Sequence, residues 1–359
     1  MTSVFINGRF LTQRTTGVQR YATEIVRALD THLCSSAAGQ LKFVLLIPKS
    51  GQPPSWIRNI ETRVVGRSTG QLWEQLELPR YSRQGISLNL CNTAPLMARS
   101  VVVAIHDAGV FAVPHTYSRA FRTWYRLLHP QLGRRAVQIV TVSRFSQSQL
   151  VRYAAMDPDR IAIIPNGGEH ILSSPADPTV LERLRLRRRY ILAVSSQSPH
   201  KNLGGVLSAV EQLGERDFDL VFAGGSNPRV FRQGVQGSGA ARLAGYVTDG
   251  ELRALYENAE CFVFPSLYEG FGLPPLEAMT CGCPVVVSRA ASLPEVCGDA
   301  AVYCNPEDSQ DIARGIATVL SDAELRADLR RRGVERAKLF TWNDAAGALL
   351  KLLETATAA

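Results

Sequence analysis

The chain alternates short apolar runs with helical patterns along almost its whole length, and no other feature narrows its possible folds as far. Runs at Ser3–Ile6, Phe43–Ile47, Thr62–Val65, Ser87–Leu90, Val101–Ile105, Gln138–Val142 and Ile161–Ile164 read as buried strands. Between the first two, Val18, Tyr21, Ala22, Ile25, Val26 and Leu29 recur at helical spacing. The second half repeats the plan, with strands expected at Tyr190–Val194, Leu220–Ala223, Arg242–Ala244, Cys261–Phe264, Val285–Ser288 and Ala301–Tyr303. A strand that must return parallel to its neighbour needs a crossover, and a helix packed on the sheet face supplies it; this is an α/β chain with doubly wound parallel sheets.

At 359 residues the chain is too long for one ordinary core and suits two domains. We expect one over residues 1–170 and a second over 171–340, with Ser173–Pro178 as the linker because two prolines and small polar residues discourage regular structure. The helical stretch from Trp342 to Thr357 could close the second domain or cross back to the first, and its periodicity does not choose. With 45% hydrophobic and 20% charged residues, the composition excludes a disordered chain. No stretch reaches the roughly 18 apolar residues of a membrane span, and MTSVFINGRF carries no export pattern, so a cytosolic protein is expected. Seven cysteines without a metal-type spacing read as reduced, mostly buried thiols, Cys281 and Cys283 included.

Charge is unevenly shared. Residues 1–170 carry 20 Lys+Arg against 9 Asp+Glu, a net of +11, whereas the remainder carries 20 against 23, a net of −3. The first half should therefore face something anionic: a membrane surface, a phosphorylated acceptor or a nucleic acid.

In open parallel sheets ligands bind beyond the carboxyl ends of the strands. That rule selects Asn7 and Gly8, His106 and Asp107, Ser143, Asn166 and Gly167 in the first half, and Lys201 and Glu269 in the second. The densest segment is PSLYEGFGLPPLEAM, residues 265–279. Gly270 and Gly272 let the backbone approach a ligand on either side of Phe271, and Pro274 and Pro275 suit a helix start because they give up N–H groups that would be unpaired there. Exposed N–H groups and a positive helix end make an anion site. Glu277 is expected in the first turn of that helix and Glu269 in the loop before it, so the two carboxylates can reach different parts of one elongated ligand. A capping role for Glu277 and a solvated one for Glu269 compete with that reading. Lys201, with Asn202 beside it, joins a buried strand to a helix and can neutralise a diphosphate, although an exposed lysine there is also ordinary. His106 ends an apolar strand and could bond a sugar or move a proton; a satisfied core histidine is the competing reading.

With these residues in view, the chain resembles the retaining nucleotide-sugar glycosyltransferases of family 4, which have the GT-B fold of two Rossmann-like domains facing across a cleft. The resemblance covers nearly the whole chain and rests on Glu269-x7-Glu277, on SPHKN around Lys201, on AGYVTDGELRALYENAE from Ala244, and on CGCPVVVS from Cys281. It implies that Glu277 binds the nucleotide ribose and Lys201 the diphosphate, that Glu269 and His106 lie against the transferred sugar, that Gly17 approaches the donor phosphates, and that the helix over 341–359 returns to the N-terminal, acceptor-side domain. Ser195 stands where many relatives carry arginine, and His200 where they often do, which leaves the donor open. The implied reaction moves a hexose with retention, mannose from GDP-mannose or else glucose from a UDP donor, onto an acceptor hydroxyl in bacterial polysaccharide or lipopolysaccharide synthesis, without a metal. Asp157-Pro-Asp159 and Asp217-Phe-Asp219 match a metal-binding DxD string but read as structural.

Residues 114–128 read as a basic, aromatic amphipathic helix, with Tyr117, Phe121, Trp124, Tyr125 and Leu128 on one face and Arg119, Arg122 and Arg126 on another. Together with the charge excess this predicts peripheral binding to the anionic inner face of the cytoplasmic membrane and a lipid-diphosphate-linked glycan acceptor; a helix packed on its own sheet is the alternative. A nucleotide-sugar epimerase of the same fold and a nucleotide-sugar-binding protein without turnover are the rival functions. No nucleic-acid module is found, so a nucleic-acid partner is not expected.

Overall fold

The computed structural model describes residues 2–34, 41–194, 198–214, 217–225 and 241–358. The chain divides into two compact units, Met1–Asn166 with Trp342–Ala359, and Gly167–Thr341. Among the described residues the first holds a parallel sheet of β1 (Thr2–Asn7), β2 (Leu41–Pro48), β3 (Glu61–Val65), β4 (Gly85–Asn89), β5 (Val101–Ala104), β6 (Gln138–Thr141) and β7 (Ile161–Ile163), in the order β3-β2-β1-β4-β5-β6-β7. The second holds β8 (Tyr190–Val194), β9 (Asp219–Ala223), β10 (Ala241–Gly245), β11 (Cys261–Phe264), β12 (Val285–Ser288) and β13 (Ala301–Cys304), in the order β10-β9-β8-β11-β12-β13.

Both sheets wind outward in two directions from a central strand. The order reverses between β1 and β4 in the first sheet and between β8 and β11 in the second. A reversal sends the two crossover helices to opposite faces and leaves a crevice at the carboxyl ends of the two central strands. The strands run apolar on both faces because both are covered: Val101, Val103 and Ile105 pack with Leu128, Leu132 and Leu150 in one unit, and Ile191, Leu220, Val263 and Val286 with Val206, Ile312 and Ile316 in the other.

The segment Ser173–Pro178, expected as the linker, packs inside the second unit, where the Asp177 N–H donates to Gly250 O at 2.9 Å. The crossing falls earlier, at Asn166 and Gly167. The helix Trp342–Ala358 belongs to the first unit and lies along the helix Gly17–Cys34, with Trp342 edge-on to Tyr21 and a ring nitrogen of His32 3.1 Å from Asn343 O.

The helix Arg119–Arg135 turns most of its aromatic side toward its own sheet. Leu128 is buried and Trp124 packs on the cluster around Val101 and Ile105, which leaves Phe121 and Leu127 as its exposed large apolar residues. Burial also governs the thiols: Cys261, Cys283, Cys297 and Cys304 are buried and unpaired, and burial pushes Cys261 up to about 12. Among the described residues no helix is long and apolar enough to cross a membrane.

Candidate active site

In the second unit the crevice residues come from the two strands at the switch point. After β8 the chain passes through residues 195–197, Ser195 among them, which lie outside the described residues, and then makes a tight turn, Pro199–Lys201, closed by Asn202 at φ +56°. After β11 runs the loop Pro265–Phe271. The two are sewn together: His200 O accepts from Leu267 N–H at 2.8 Å and from the Ser266 hydroxyl at 3.0 Å. Asn202 donates its amide to Pro265 O and Pro306 O at 3.2 and 2.6 Å. Both amide hydrogens are thus spent inside the protein, and the group expected to bind donor acts as a loop anchor. Ser292 supports the loop from below, its hydroxyl lying 3.0 Å from Glu269 O and 2.8 Å from Phe271 O.

This scaffold brings Lys201 and Glu269 together. Lys201 Nζ donates to Glu269 Oε1 at 2.5 Å, with the two side chains 19% and 10% exposed, and the ammonium lies 5.3 Å from the centre of the Phe264 ring. The loop then enters the helix Leu273–Thr280 through Gly272 at φ +103°, where a Cβ would meet Leu293 Cδ2 at 2.5 Å. Only glycine fits that conformation and that space. Because Gly272 caps the helix, Leu273 is its first residue and Glu277 lies in the second turn, not the first. The prolines open the helix as expected, but they also remove donors. Of the first four helical positions only Leu273 and Leu276 carry an N–H, and Leu276 spends its own on Gly272 O at 3.3 Å. Of the expected helix-end donors, the Leu273 N–H and the helix dipole are what the first turn itself presents.

Glu277 is buried and doubly held. His170 Nε2 donates to its Oε1 at 2.9 Å, and the Tyr256 hydroxyl to its Oε2 at 3.3 Å. Tyr256 is held far above its ordinary pKa by burial and then by the charge of Glu277, so it stays a donor.

The first unit fills the same topological place differently. Asn7, at the end of β1, donates to Asn89 Oδ1 at the end of β4 at 2.9 Å, and to Glu74 Oε2 at 2.8 Å. Arg9 pairs with Glu74 at 2.8 Å and donates to Thr93 Oγ1 at 2.8 Å, all of it buried. Glu74 arrives on a π-helical turn, Trp73–Glu77, and Gly8 is confined by Leu46 O, 2.5 Å from where its Cβ would be. His106 follows β5. Its backbone N–H donates to Asn92 Oδ1 at 2.7 Å, its Nε2 lies 2.9 Å from Leu90 O, and the Tyr21 ring stands edge-on at 4.6 Å. A carbonyl accepts only, so Nε2 carries the proton and Nδ1 is the acceptor. Burial lowers this histidine to about 4, leaving it neutral at pH 7 and unsuited to donating a proton there, which narrows its expected roles to hydrogen bonding. Gly17 opens its helix with open space where a Cβ would stand.

Comparison with known proteins fits this arrangement. Residues 15–170 match the family model described as Glycosyltransferase Family 4, and residues 182–336 the one described as Glycosyl transferases group 1. The Escherichia coli O-antigen chain mannosyltransferase B is 35% identical over 287 residues, 76% of this chain and 74% of the relative. The chain belongs to glycosyltransferase family 4. A serotype-specific mannosyltransferase of E. coli, WbdA, is 32% identical over 234 residues, 59% of this chain and 28% of that much longer protein. A sucrose-phosphate synthase from Thermosynechococcus elongatus superposes with a TM-score of 0.76 at 19% identity, covering 100% of both chains. The fold is that of the GT-B glycosyltransferases.

Within this family 4 enzyme several residues of the crevices lie beyond what the sequence indicated. Arg9 and Glu74 meet across 65 positions, His170 and Glu277 across 107, and neither pair leaves a periodic signal. Ser143 and Asp107, selected by position, serve the backbone: Ser143 caps the helix Arg144–Ala154 and Asp107 accepts from Gly109 N–H at 2.6 Å. The DxD strings are likewise occupied locally. Asp157 accepts from Asp159 N–H at 3.1 Å, and Asp217 pairs with Arg189 at 2.7 Å.

Proposed function

We propose that this chain is a retaining hexosyltransferase that moves mannose from GDP-mannose to a lipid-diphosphate-linked glycan in the synthesis of a bacterial surface polysaccharide. The observation that carries the reading is the Lys201–Glu269 pair, 2.5 Å apart beside the glycine-capped start of the helix Leu273–Thr280. A diphosphate at that helix start lies within reach of Lys201, and the anomeric carbon it carries lies toward Glu269. The bond from C1 to the diphosphate oxygen breaks, the acceptor hydroxyl oxygen bonds to C1 on the same face, and its proton passes to the departing diphosphate. Lys201, the loop N–H groups and the helix dipole take up the leaving charge, and Glu269 stabilises the cation-like sugar, so no metal is assigned to the step. Glu277 holds the ribose. In the first unit, His106 accepts a hydrogen bond from a sugar hydroxyl through Nδ1.

Mannose is supported by the two E. coli relatives, both named mannosyltransferases. The acceptor and a place on the inner face of the cytoplasmic membrane are supported by the +11 excess of residues 1–170 and by Phe121 and Leu127, exposed on a helix that also carries Arg119, Arg122 and Arg126.

The test is a thermal-shift series over GDP, UDP and their sugars in the presence of a chelator, followed by transfer assays. GDP and GDP-mannose should raise the melting temperature most, and Glu269→Ala should bind GDP yet lose transfer. Stabilisation by UDP alone would overturn the donor, and full transfer by Glu269→Ala the role of that carboxylate. Conversion of the donor to an isomeric nucleotide sugar without acceptor would mark an epimerase. Absence of sedimentation with anionic liposomes at low salt would remove the membrane from the scheme.

A further inference from the structure

We infer that His170 is a positioning residue for nucleotide recognition: with Tyr256 it locks the Glu277 carboxylate so that one lone pair on each oxygen remains for the two vicinal hydroxyls of a ribose. The inference rests on the reading of Glu277 as the ribose-binding carboxylate and adds to it a residue from a separate turn.

A glutamate on a helix has three side-chain torsions and, unrestrained, sweeps its carboxylate over several ångströms. Here two elements restrain it from different directions. His170 lies in the short turn Glu169–Leu172 and Tyr256 in the helix Asp249–Asn258, and each supplies one donor to a different oxygen, at 2.9 Å and 3.3 Å. His170 and Tyr256 are fully packed, whereas Glu277 keeps 8% of its surface exposed. The turn is built to sit close. Gly168 has Thr280 Oγ1 and Leu276 Cγ at 2.6 and 2.8 Å from where a Cβ would stand, and its N–H donates to Phe340 O at 3.2 Å. A side chain at 168 would have to displace the Thr280 and Leu276 side chains or the turn itself, on which the imidazole is carried.

A carboxylate oxygen accepts through two lone pairs. With one on each oxygen committed to the protein, the group is oriented and keeps an acceptor on each side, the pattern that a cis-diol of two adjacent donors matches. Loss of the imidazole donor would free the carboxylate to rotate and would erase the match to the diol without touching the diphosphate contacts.

The experiment measures affinity for GDP and for 2′,3′-dideoxy-GDP by calorimetry on the full chain, in the unaltered protein and in His170→Phe, His170→Gln, Tyr256→Phe and Glu277→Gln. Tyr256→Phe keeps the ring, whereas His170→Phe brings in a somewhat larger one, so urea unfolding of that variant accompanies the binding measurement and His170→Gln serves as its smaller counterpart. The unaltered protein should prefer GDP over the dideoxy analogue by about tenfold or more, as expected for hydrogen bonds to a charged group. His170→Phe should cut that preference to about threefold or less while binding of dideoxy-GDP stays nearly constant, Tyr256→Phe should reduce it less, and His170→Gln, which can still donate, should recover most of it. A full preference in His170→Phe, or a uniform loss for both nucleotides, overturns the positioning role while leaving Glu277 in place. No preference in the unaltered protein, or none lost in Glu277→Gln, overturns the ribose reading and this inference with it.

Discussion

The two crevices occupy the same topological position, beyond the carboxyl ends of the strands at which the sheet order reverses, and they are filled with different degrees of closure. In the second unit the backbone carbonyls of His200, Pro265, Glu269 and Phe271 hold the turn and loop, Lys201 pairs with Glu269, His170 and Tyr256 hold Glu277, and the three charged groups still retain some exposure. In the first unit the charge pair is shut further away from solvent, at 8% and 1% exposure against 19% and 10% for Lys201 and Glu269. Arg9 and Glu74 cancel in a buried pair, Asn7 and Asn89 close across the reversal, and His106 is kept neutral. A crevice that must hold a doubly charged ligand needs cations and N–H groups left with capacity, whereas one that meets a hydroxyl-rich molecule needs shape and neutral hydrogen-bonding groups. The α/β plan supplies the location, and the way its polar groups are paired decides what can be held there.

The sharpest way to break the contrast is at Glu74. Glu74→Ala leaves Arg9 buried and unpaired and should cost about 3–5 kcal/mol of stability, read by urea unfolding, while Arg9→Met with Glu74→Leu should restore most of it. A cost below about 1 kcal/mol would mean that water reaches the pair and that the first crevice is not closed on itself. In the second unit the expected loss is in catalysis. Lys201→Ala should lower kcat by about 10²–10³-fold with a much smaller change in unfolding free energy, as the proposed role at the leaving diphosphate requires. A comparable loss of stability and an intact kcat would reverse the assignment.

Acid provides a third probe. His106 and His129 are each lowered from 6.5 to about 4 by burial, so the folded chain keeps them neutral while the unfolded chain protonates them. Their contribution is complete above pH 6.5 and drains away as pH falls toward 4, up to about 3 kcal/mol for each. Unfolding followed from pH 8 to pH 4.5 should show this slope, and His106→Gln should flatten part of it. Smallest is Gly272→Ala, which forces a left-handed conformation on a side chain against Leu293 and should cost about 1–3 kcal/mol, with nucleotide affinity falling alongside.

Strands buried on both faces were legible because nothing interrupts their apolar runs: Tyr190–Val194, Cys261–Phe264 and Val285–Ser288 are bounded where the sequence places them. Edges blurred where polar residues join the ladder, as at β2, which begins at Leu41 before the exposed Lys42, and at β9, which begins at Asp219, 3.9 Å from Arg242. Lys201, Glu269 and Glu277 were visible as charges beside glycines and prolines. The partners of Glu277 were not. Nothing in the spacing ties His170 to Glu277 or Arg9 to Glu74, since such contacts arise only when distant crossovers deliver two loops to one sheet end. The aromatic face of Arg119–Arg135 could not be assigned from spacing, because one periodicity describes both a helix lying on a membrane and a helix packed on its own sheet.

The helix Trp342–Ala358 lies along Gly17–Cys34 in the first unit, although the whole of Gly167–Thr341 is made before it. A growing chain therefore finishes its later unit while the earlier one still lacks a wall, and Tyr21 waits for Trp342 throughout synthesis. Completion of the two halves is reversed relative to their order of emergence. Premature termination near residue 340 would leave the second unit whole and the first with a bare apolar flank, the kind of species that chaperones retain and proteases find.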